Sequence, residues 1–179
     1  MLKWNVVVSV REEGYKRARQ VLSTYGELQP TGYYNVLVLR AEDRAQFLDR
    51  LAAVVTAMPD FLKVVSRILP ASEAFDFQSA EEFEAKAKEV VLAWLPKLAG
   101  KSFHVRMHRR GFKERLSSKV EEHLLDDAIL AAFKLAGTPG RITFDDPDVI
   151  IDVETVGQRA GLALWTREDL VRYPFLRLD

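Results

Sequence analysis

The 179-residue sequence contains no cysteine. This absence excludes disulfide bonds, thiolate zinc sites and cysteine nucleophiles, and it fits a reducing compartment. The sequence also has no apolar run approaching the roughly 18 residues of a membrane span, and its N-terminal apolar run is too short for a signal peptide. We therefore expect a cytoplasmic protein without a membrane partner.

The sequence also lacks an excess of charge of either sign, because 26 Lys and Arg balance 26 Asp and Glu. General attraction to polyanions is excluded, so any binding of nucleic acid must come from an uneven placement of charge. The nine glycines are scattered, so no phosphate-cradling glycine loop is present. Apolar residues make up 48% of the chain, which excludes disorder and suffices for one ordinary domain or two small ones.

Charge is placed most unevenly between Lys97 and Lys119, where eight Lys and Arg stand against the single acid Glu114. Residues 103–108 alternate apolar and basic side chains, which predicts a strand with one core face and one cationic face. A turn and a helix start follow, where cations beside helix amides suit a phosphate backbone. Nucleic acid is therefore the leading partner. The candidate RNA-binding residues are Lys101, His104, Arg106, His108, Arg109, Arg110, Lys113, Arg115 and Lys119.

The two histidines of this strand, His104 and His108, are poor metal ligands. They are too far apart on a strand to chelate one ion readily, and the sequence gives them no clear carboxylate partner. Stacking on single-stranded RNA and an ordinary surface position are both open to them. We expect neither a metal site nor a cofactor.

The dense group of carboxylates is Asp145, Asp146, Asp148, Asp152 and Glu154. A metal-dependent phosphoesterase or nuclease could use such a group, and this is the alternative function. The first three also fit ordinary turn chemistry, and the last two alternate with apolar residues as a solvent-facing side of a strand would. We favour turn and surface. A protein-binding scaffold is a third possibility.

The first 75 residues alternate between strand and helix patterns. The predicted elements are a strand at 4–10, a helix at 15–25, a short strand at 27–29, a strand at 33–39, a helix at 47–58 and a strand at 61–69. This β-α-β-β-α-β order with short connections predicts a ferredoxin-like domain.

The second half follows a predicted linker at 70–78. A capping box at Ser79 begins one helix, which Pro96 should end or kink, and a capping box at Ser118 begins another, which Gly137 ends. The second helix should bury the face that holds Val120, Leu124, Ala128, Ala131, Ala132 and Leu135. Strands are predicted at 101–108, 141–144, 149–156 and 162–165.

From about Arg67 onward, the order of elements and several residues resemble a THUMP domain, the tRNA-binding module of several RNA-modification systems. The matching segments are Phe103-x-Val-Arg106, Arg109-Arg110-Gly111, the Ser118 helix and Pro147-Asp-Val-Ile-Ile-Asp-Val-Glu154. The resemblance implies an α+β fold, with a ferredoxin-like N-terminal half at 1–75 followed by an α/β THUMP domain at 76–179.

Most THUMP proteins also carry a catalytic domain, for which residues 166–179 are too short. The architecture and Tyr173-Pro-Phe175 are similar to the stand-alone THUMP proteins that assist the tRNA cytidine N4-acetyltransferase. The resemblance implies a non-catalytic tRNA-binding protein. It would present tRNA to a separate modification enzyme, an RNA cytidine acetyltransferase, for N4-acetylcytidine formation, with phosphate contacts near the acceptor end.

Overall fold

The structure, a computed structural model, describes residues 2–178. It contains two compact units, one made of residues 2–72 with 168–177 and one made of residues 73–167 with residue 178. Each unit has its own sheet, and the fold is α+β as the sequence predicts. Among the helices of the described residues, none is long and apolar enough to cross a membrane.

The first unit is ferredoxin-like. Its strands are β1 (Val6–Val10), β2 (Glu27–Pro30), β3 (Val36–Arg40) and β4 (Val65–Pro70). All pairings are antiparallel, in the order β2-β3-β1-β4. Helices α1 (Tyr15–Leu22) and α2 (Arg44–Ala57) connect β1 to β2 and β3 to β4. This is the predicted split βαβ arrangement.

Two strands of this unit begin later than the sequence predicts. The strand expected from Tyr33 begins at Val36, because Asn35 has a φ of 55° and closes a turn before it. The strand expected from Phe61 begins at Val65, because a 3-10 helix occupies Pro59–Lys63. Pro59 suits the first turn of that helix, where no backbone N–H is needed.

The second unit has a five-stranded sheet in the order β5-β9-β8-β6-β7. The strands are β5 (Glu73–Asp76), β6 (Ser102–Arg110), β7 (Arg141–Ile142), β8 (Val149–Val156) and β9 (Arg159–Thr166). Strand β6 is parallel to β7 and β8, and the other pairs are antiparallel. The helices are α3 (Ala80–Ala93), α4 (Leu95–Leu98) and α5 (Ser118–Ala136).

The predicted linker at 70–78 is wrong. Strand β4 extends to Pro70, and β5 pairs with β9 as an edge strand. The rings of Phe75 and Phe77 pack against Phe83 of α3, with centroids 6.1 and 5.3 Å from its ring. The segment has no clear period because an edge strand of four residues is too short to display one.

The helix boundaries of this unit follow the sequence closely. Ser79 accepts a hydrogen bond from the Glu82 amide at 3.1 Å, as the predicted capping box requires. Pro96 lies in the first turn of the separate short helix α4, so α3 ends before it. Gly137 ends α5 with a φ of 67°, in the left-handed region that favours glycine.

The predicted buried face of α5 is wrong. Val120 and Leu135 are exposed, and the buried residues are Glu121, Leu125, Asp126, Ile129 and Phe133. The true face lies about one residue further along the helix and includes two carboxylates. The prediction of the buried face relies on a stripe of apolar residues, and Glu121 and Asp126 interrupt that stripe on the true face.

The C-terminal segment belongs to the first unit. After α6 (Arg167–Arg172), the side chains of Tyr173, Phe175 and Leu176 are buried. The Ile68 amide donates to the Phe175 carbonyl at 2.9 Å, which ties this segment to β4.

Candidate RNA interface

Strand β6 has the predicted core face. Phe103, Val105 and Met107 are buried in the hydrophobic core of the second unit. The alternation in the sequence therefore gives the correct orientation of the strand.

The opposite face of β6 is not the open cationic surface that the sequence predicts. In the parallel register with β8, Arg106 lies beside Asp152 and His108 beside Glu154. His108 Nδ1 is 2.7 Å from Glu154 Oε2, and an Arg110 guanidinium N–H donates to Glu154 Oε1 at 2.9 Å. The two arginines of this face lie beside two carboxylates of the neighbouring strand, so this face carries little net charge.

The two carboxylates of β8 are also not on a solvent-facing side, as the sequence suggested. Asp152 and Glu154 are each 2% exposed. Burial alone would raise the pKa of Glu154, but the hydrogen bond with His108 and the charges of Arg110 and His108 outweigh it, so this pKa lies below its usual value. The group is held ionised by its neighbours, as a buried ion pair requires.

His108, Asp152 and Glu154 form the group of described residues whose ligand atoms could hold a metal ion, since these atoms lie within 4.8 Å of one another. His108 thus has the carboxylate partner that the sequence did not reveal. Both oxygens of Glu154 already bond to side chains, one to His108 and the other to Arg110. An incoming ion would have to displace Arg110, so the arrangement favours a structural ion-pair network.

The five carboxylates of the alternative function do not form one cluster, because only Asp152 and Glu154 lie together. Asp145 and Asp146 are exposed in a turn, as predicted. Asp148 accepts from the Ser102 amide at 2.8 Å, and an Arg167 guanidinium N–H donates to it at 2.5 Å. Because Asp152 and Glu154 are buried and both oxygens of Glu154 are bonded to His108 and Arg110, the structure does not favour a phosphoesterase site.

His104 is 7% exposed, and its ring packs against Phe144 with the centroids 5.5 Å apart. Little of this ring is available to an RNA base in the described structure. The exposed ring at this position is that of Phe144.

Exposed cations are concentrated in the turn after β6 and at the start of α5. Phe112 and Leu116 anchor this turn in the core, and three of its residues, Gly111, Phe112 and Glu114, have positive φ. Arg115 places its guanidinium 3.9 Å from the centroid of the Phe112 ring. The exposed candidate cations are Lys101, Lys113, Arg115 and Lys119. Arg109 is partly buried and donates to the Gly111 carbonyl.

Helix α5 starts one residue earlier than the predicted capping box. Ser117, not Ser118, is the N-cap, and its hydroxyl accepts from the Val120 amide at 3.4 Å. Glu121 therefore does not serve as the acid of a capping box and is buried instead.

The first turn of α5 borders an open groove of about 610 Å³. Its charged lining residues are the cations Arg109, Arg115 and Lys119 and the acids Glu84, Glu114 and Glu121. The cations and the positive end of the helix lie together, which suits a phosphate group.

The sequence does not reveal that two further acids of α5 accept hydrogen bonds from the backbone of β6. Asp126 accepts from the Val105 amide at 3.0 Å, and Glu122 accepts from the Met107 amide at 2.8 Å. Both amides lie beyond the two-residue strand β7, so the helix side chains cover an edge of β6 that no strand covers.

No protein-family model matches the sequence, and no curated protein matches it. Solved structures do share the fold. PH1313 from Pyrococcus horikoshii OT3 superposes with a TM-score of 0.60 and 15% identity over 90% of this chain and 54% of its own. TrmN from Thermus thermophilus superposes with a TM-score of 0.60 and 16% identity, over 90% of this chain and 44% of its own. A 4-thiouridine synthetase in complex with RNA and bound ATP superposes with a TM-score of 0.56 and 15% identity, over 90% of this chain and 41% of its own.

These likenesses show the fold that the chain shares with these proteins. The chain spans about half or less of the length of the structures it matches.

The comparisons overturn the expectation of a non-catalytic protein. The structures that share the fold include the 4-thiouridine synthetase and a protein described as a methyltransferase, complexed with SAH. The expectation rested on the shortness of residues 166–179, and that length does not decide whether catalysis belongs to the function.

Proposed function

We propose that this chain binds tRNA for a tRNA-modification enzyme, through the turn after β6 and the N-terminus of α5. The observation that carries the proposal is the cluster of exposed cations Lys113, Arg115 and Lys119 around the positive end of a 19-residue helix. A fold shared with a 4-thiouridine synthetase–RNA complex supports RNA as the polyanion. Recognition by phosphate contacts implies specificity for the shape of the tRNA.

The structure changes which residues the test should remove. Arg110 pairs with the buried Glu154, and Arg106 lies beside the buried Asp152. Replacing either arginine would leave a buried carboxylate less compensated and would destabilise the fold, whether or not RNA is bound. The exposed cations are free of this complication.

The test compares Lys113→Ala/Arg115→Ala/Lys119→Ala with a control that removes equal charge from α1, Lys16→Ala/Arg17→Ala/Arg19→Ala. Binding of labelled unmodified tRNA is measured at several salt concentrations. A plot of log affinity against log salt has a negative slope. If all three cations contact phosphates, the first variant should reduce the magnitude of this slope by about 2 to 3, since each contact contributes about 0.7 to 0.9. The control should retain the wild-type slope.

Equal losses in the two variants would show that binding follows total charge and would contradict a site at α5. Absence of tRNA binding at low salt, in folded wild-type protein, would contradict the proposed function as a whole.

A finer proposal concerns the modification. The resemblance of the architecture and of Tyr173-Pro-Phe175 favours N4-acetylation of cytidine, with an RNA cytidine acetyltransferase as partner. The test measures N4-acetylcytidine in tRNA by mass spectrometry after incubation with that enzyme, with and without this chain. Equal yields in both reactions would contradict this partner and leave tRNA binding intact.

A further inference from the structure

The groove at the start of α5 contains an acid where an anion site would be expected to exclude one. Glu121 lines this groove and is 3% exposed. Its Oε2 atom is buried and has no hydrogen-bond partner among the described residues. A buried polar atom without a partner is costly, so its presence beside this groove requires an explanation.

The neighbour of Glu121 is a second carboxyl group, Glu84 of α3. Burial raises the pKa of Glu121 to about 7, and the adjacent Glu84 acts in the same direction, whereas Lys88 lowers it. Two adjacent carboxyl groups cannot both ionise without strong repulsion, so the pair holds a proton near neutral pH.

Helix α5 supplies the other half of an anion site. Ser117 caps the Val120 amide, while the amides of Ser118 and Lys119 precede the first intrahelical hydrogen bonds. Such amides and the helix dipole favour an anion at this end.

The charges that face the groove decide when an anion can enter. From β6 and the turn come Arg109, Arg115 and Glu114, from α3 comes Glu84, and from α5 come Lys119 and Glu121; Lys88 of α3 acts on Glu121 but does not line the groove. Among the lining residues, cations and acids are equal in number while Glu121 is ionised. A proton on Glu121 leaves a net positive charge.

We propose that this groove binds one phosphate of the RNA together with one proton, which the Glu84–Glu121 pair holds. This inference rests on the proposed function and adds its regulation. The proton comes from solvent, and no covalent bond to phosphorus changes. Neutral Glu121 removes a repulsive charge from the groove and leaves no charge on the buried Oε2 atom, which has no hydrogen-bond partner.

Linkage gives the direction of the effect. Because the phosphate favours the neutral form of Glu121, binding takes up a proton, and tRNA affinity falls as pH rises through the neutral range. A single linked proton limits the change to about tenfold per pH unit.

The test measures the dissociation constant for labelled unmodified tRNA at pH 6, 7 and 8 and constant ionic strength. Wild-type affinity should fall by about three- to tenfold between pH 6 and 8. Glu121→Gln, which is permanently neutral, should bind at pH 8 about as tightly as wild type at pH 6, with a flatter profile. Other titrating groups are common to both proteins, so the difference isolates Glu121.

The matched control is Asp126→Asn. Burial also raises the pKa of Asp126 to about 7, but this residue accepts from the Val105 amide and does not line the groove. The control should retain the wild-type pH profile. Glu84→Gln, at a partly exposed position, removes the second carboxylate and should tighten binding at pH 8 even if Glu121→Gln does not fold.

Wild-type binding that does not change with pH, or variants at Glu121 and Glu84 that keep the full wild-type profile, would overturn the proton-linked site while tRNA binding stands. Absence of binding at every pH would instead overturn the proposed function.

Discussion

Asp126 provides a direct test of the electrostatics of α5 in the protein without RNA. Its carboxylate is 3% exposed and accepts from the Val105 amide at 3.0 Å. Burial raises its pKa from 3.8 to about 7, and the charges of Glu122 and Asp127 add to this, while the Val105 hydrogen bond opposes it. The substitution Asp126→Asn keeps an oxygen acceptor for Val105 and removes the titrating group.

The sign follows from proton counts. Between about pH 4 and 7 the folded protein holds a proton on Asp126 that the unfolded chain has released, so this group lowers stability progressively as pH rises and by its full amount above pH 7. At about 1.36 kcal/mol per pKa unit, the full cost is about 2 to 4 kcal/mol. The Asp126→Asn variant carries no such cost.

The free energy of unfolding in urea should therefore rise on Asp126→Asn by an amount that grows by about 1 to 3 kcal/mol between pH 5 and pH 8. Glu121 titrates in both proteins and cancels in this difference. The exposed neighbour Asp127 gives the control Asp127→Asn, which removes the same charge. A gain from Asp126→Asn that is equal at the two pH values would refute the raised pKa.

Two further substitutions test the fold around the interface. Ser117→Ala should lower the free energy of unfolding by about 1 kcal/mol, because it removes the N-cap of α5. Ser118→Ala should lower it less. A larger loss from Ser118→Ala would show that Ser118 is the N-cap, as the sequence predicts. Glu154→Gln should cost about 3 to 5 kcal/mol in urea denaturation, because Arg110 and His108 lose a buried ionised partner, whereas Glu89→Gln on the exposed side of α3 should be nearly neutral. An unchanged free energy of unfolding in Glu154→Gln would show that the buried network adds no stability.

The sequence predicts local features of this protein better than the contacts between strands that are distant in sequence. Alternation places Phe103 and Val105 in the core, because period two depends only on neighbouring residues. It does not reveal what lies against the other face. The partner of His108 is Glu154, 46 residues away, and only the register of β6 with β8 brings them together.

The same limit explains the start and the face of α5. Ser117 and Ser118 both fit an N-cap, and the acid three residues after Ser118 favoured the wrong one. Glu121 and Asp126 lie on the buried face, where a pattern based on apolar residues cannot place them.

The acids of α5 are explained by the shortness of β7. Because β7 pairs with only Ser102 and Phe103, the β6 amides that point away from β8 beyond that position lack a strand partner, and the carboxylates of Glu122 and Asp126 accept from Met107 and Val105 instead. Helix α5 supplies these acceptors as acids on its inner face, close to the cations that follow β6. The buried face of α5 thus carries several carboxyl groups, and one of them, Glu121, lies at the positive end of the helix, where binding of an anion is coupled to its protonation.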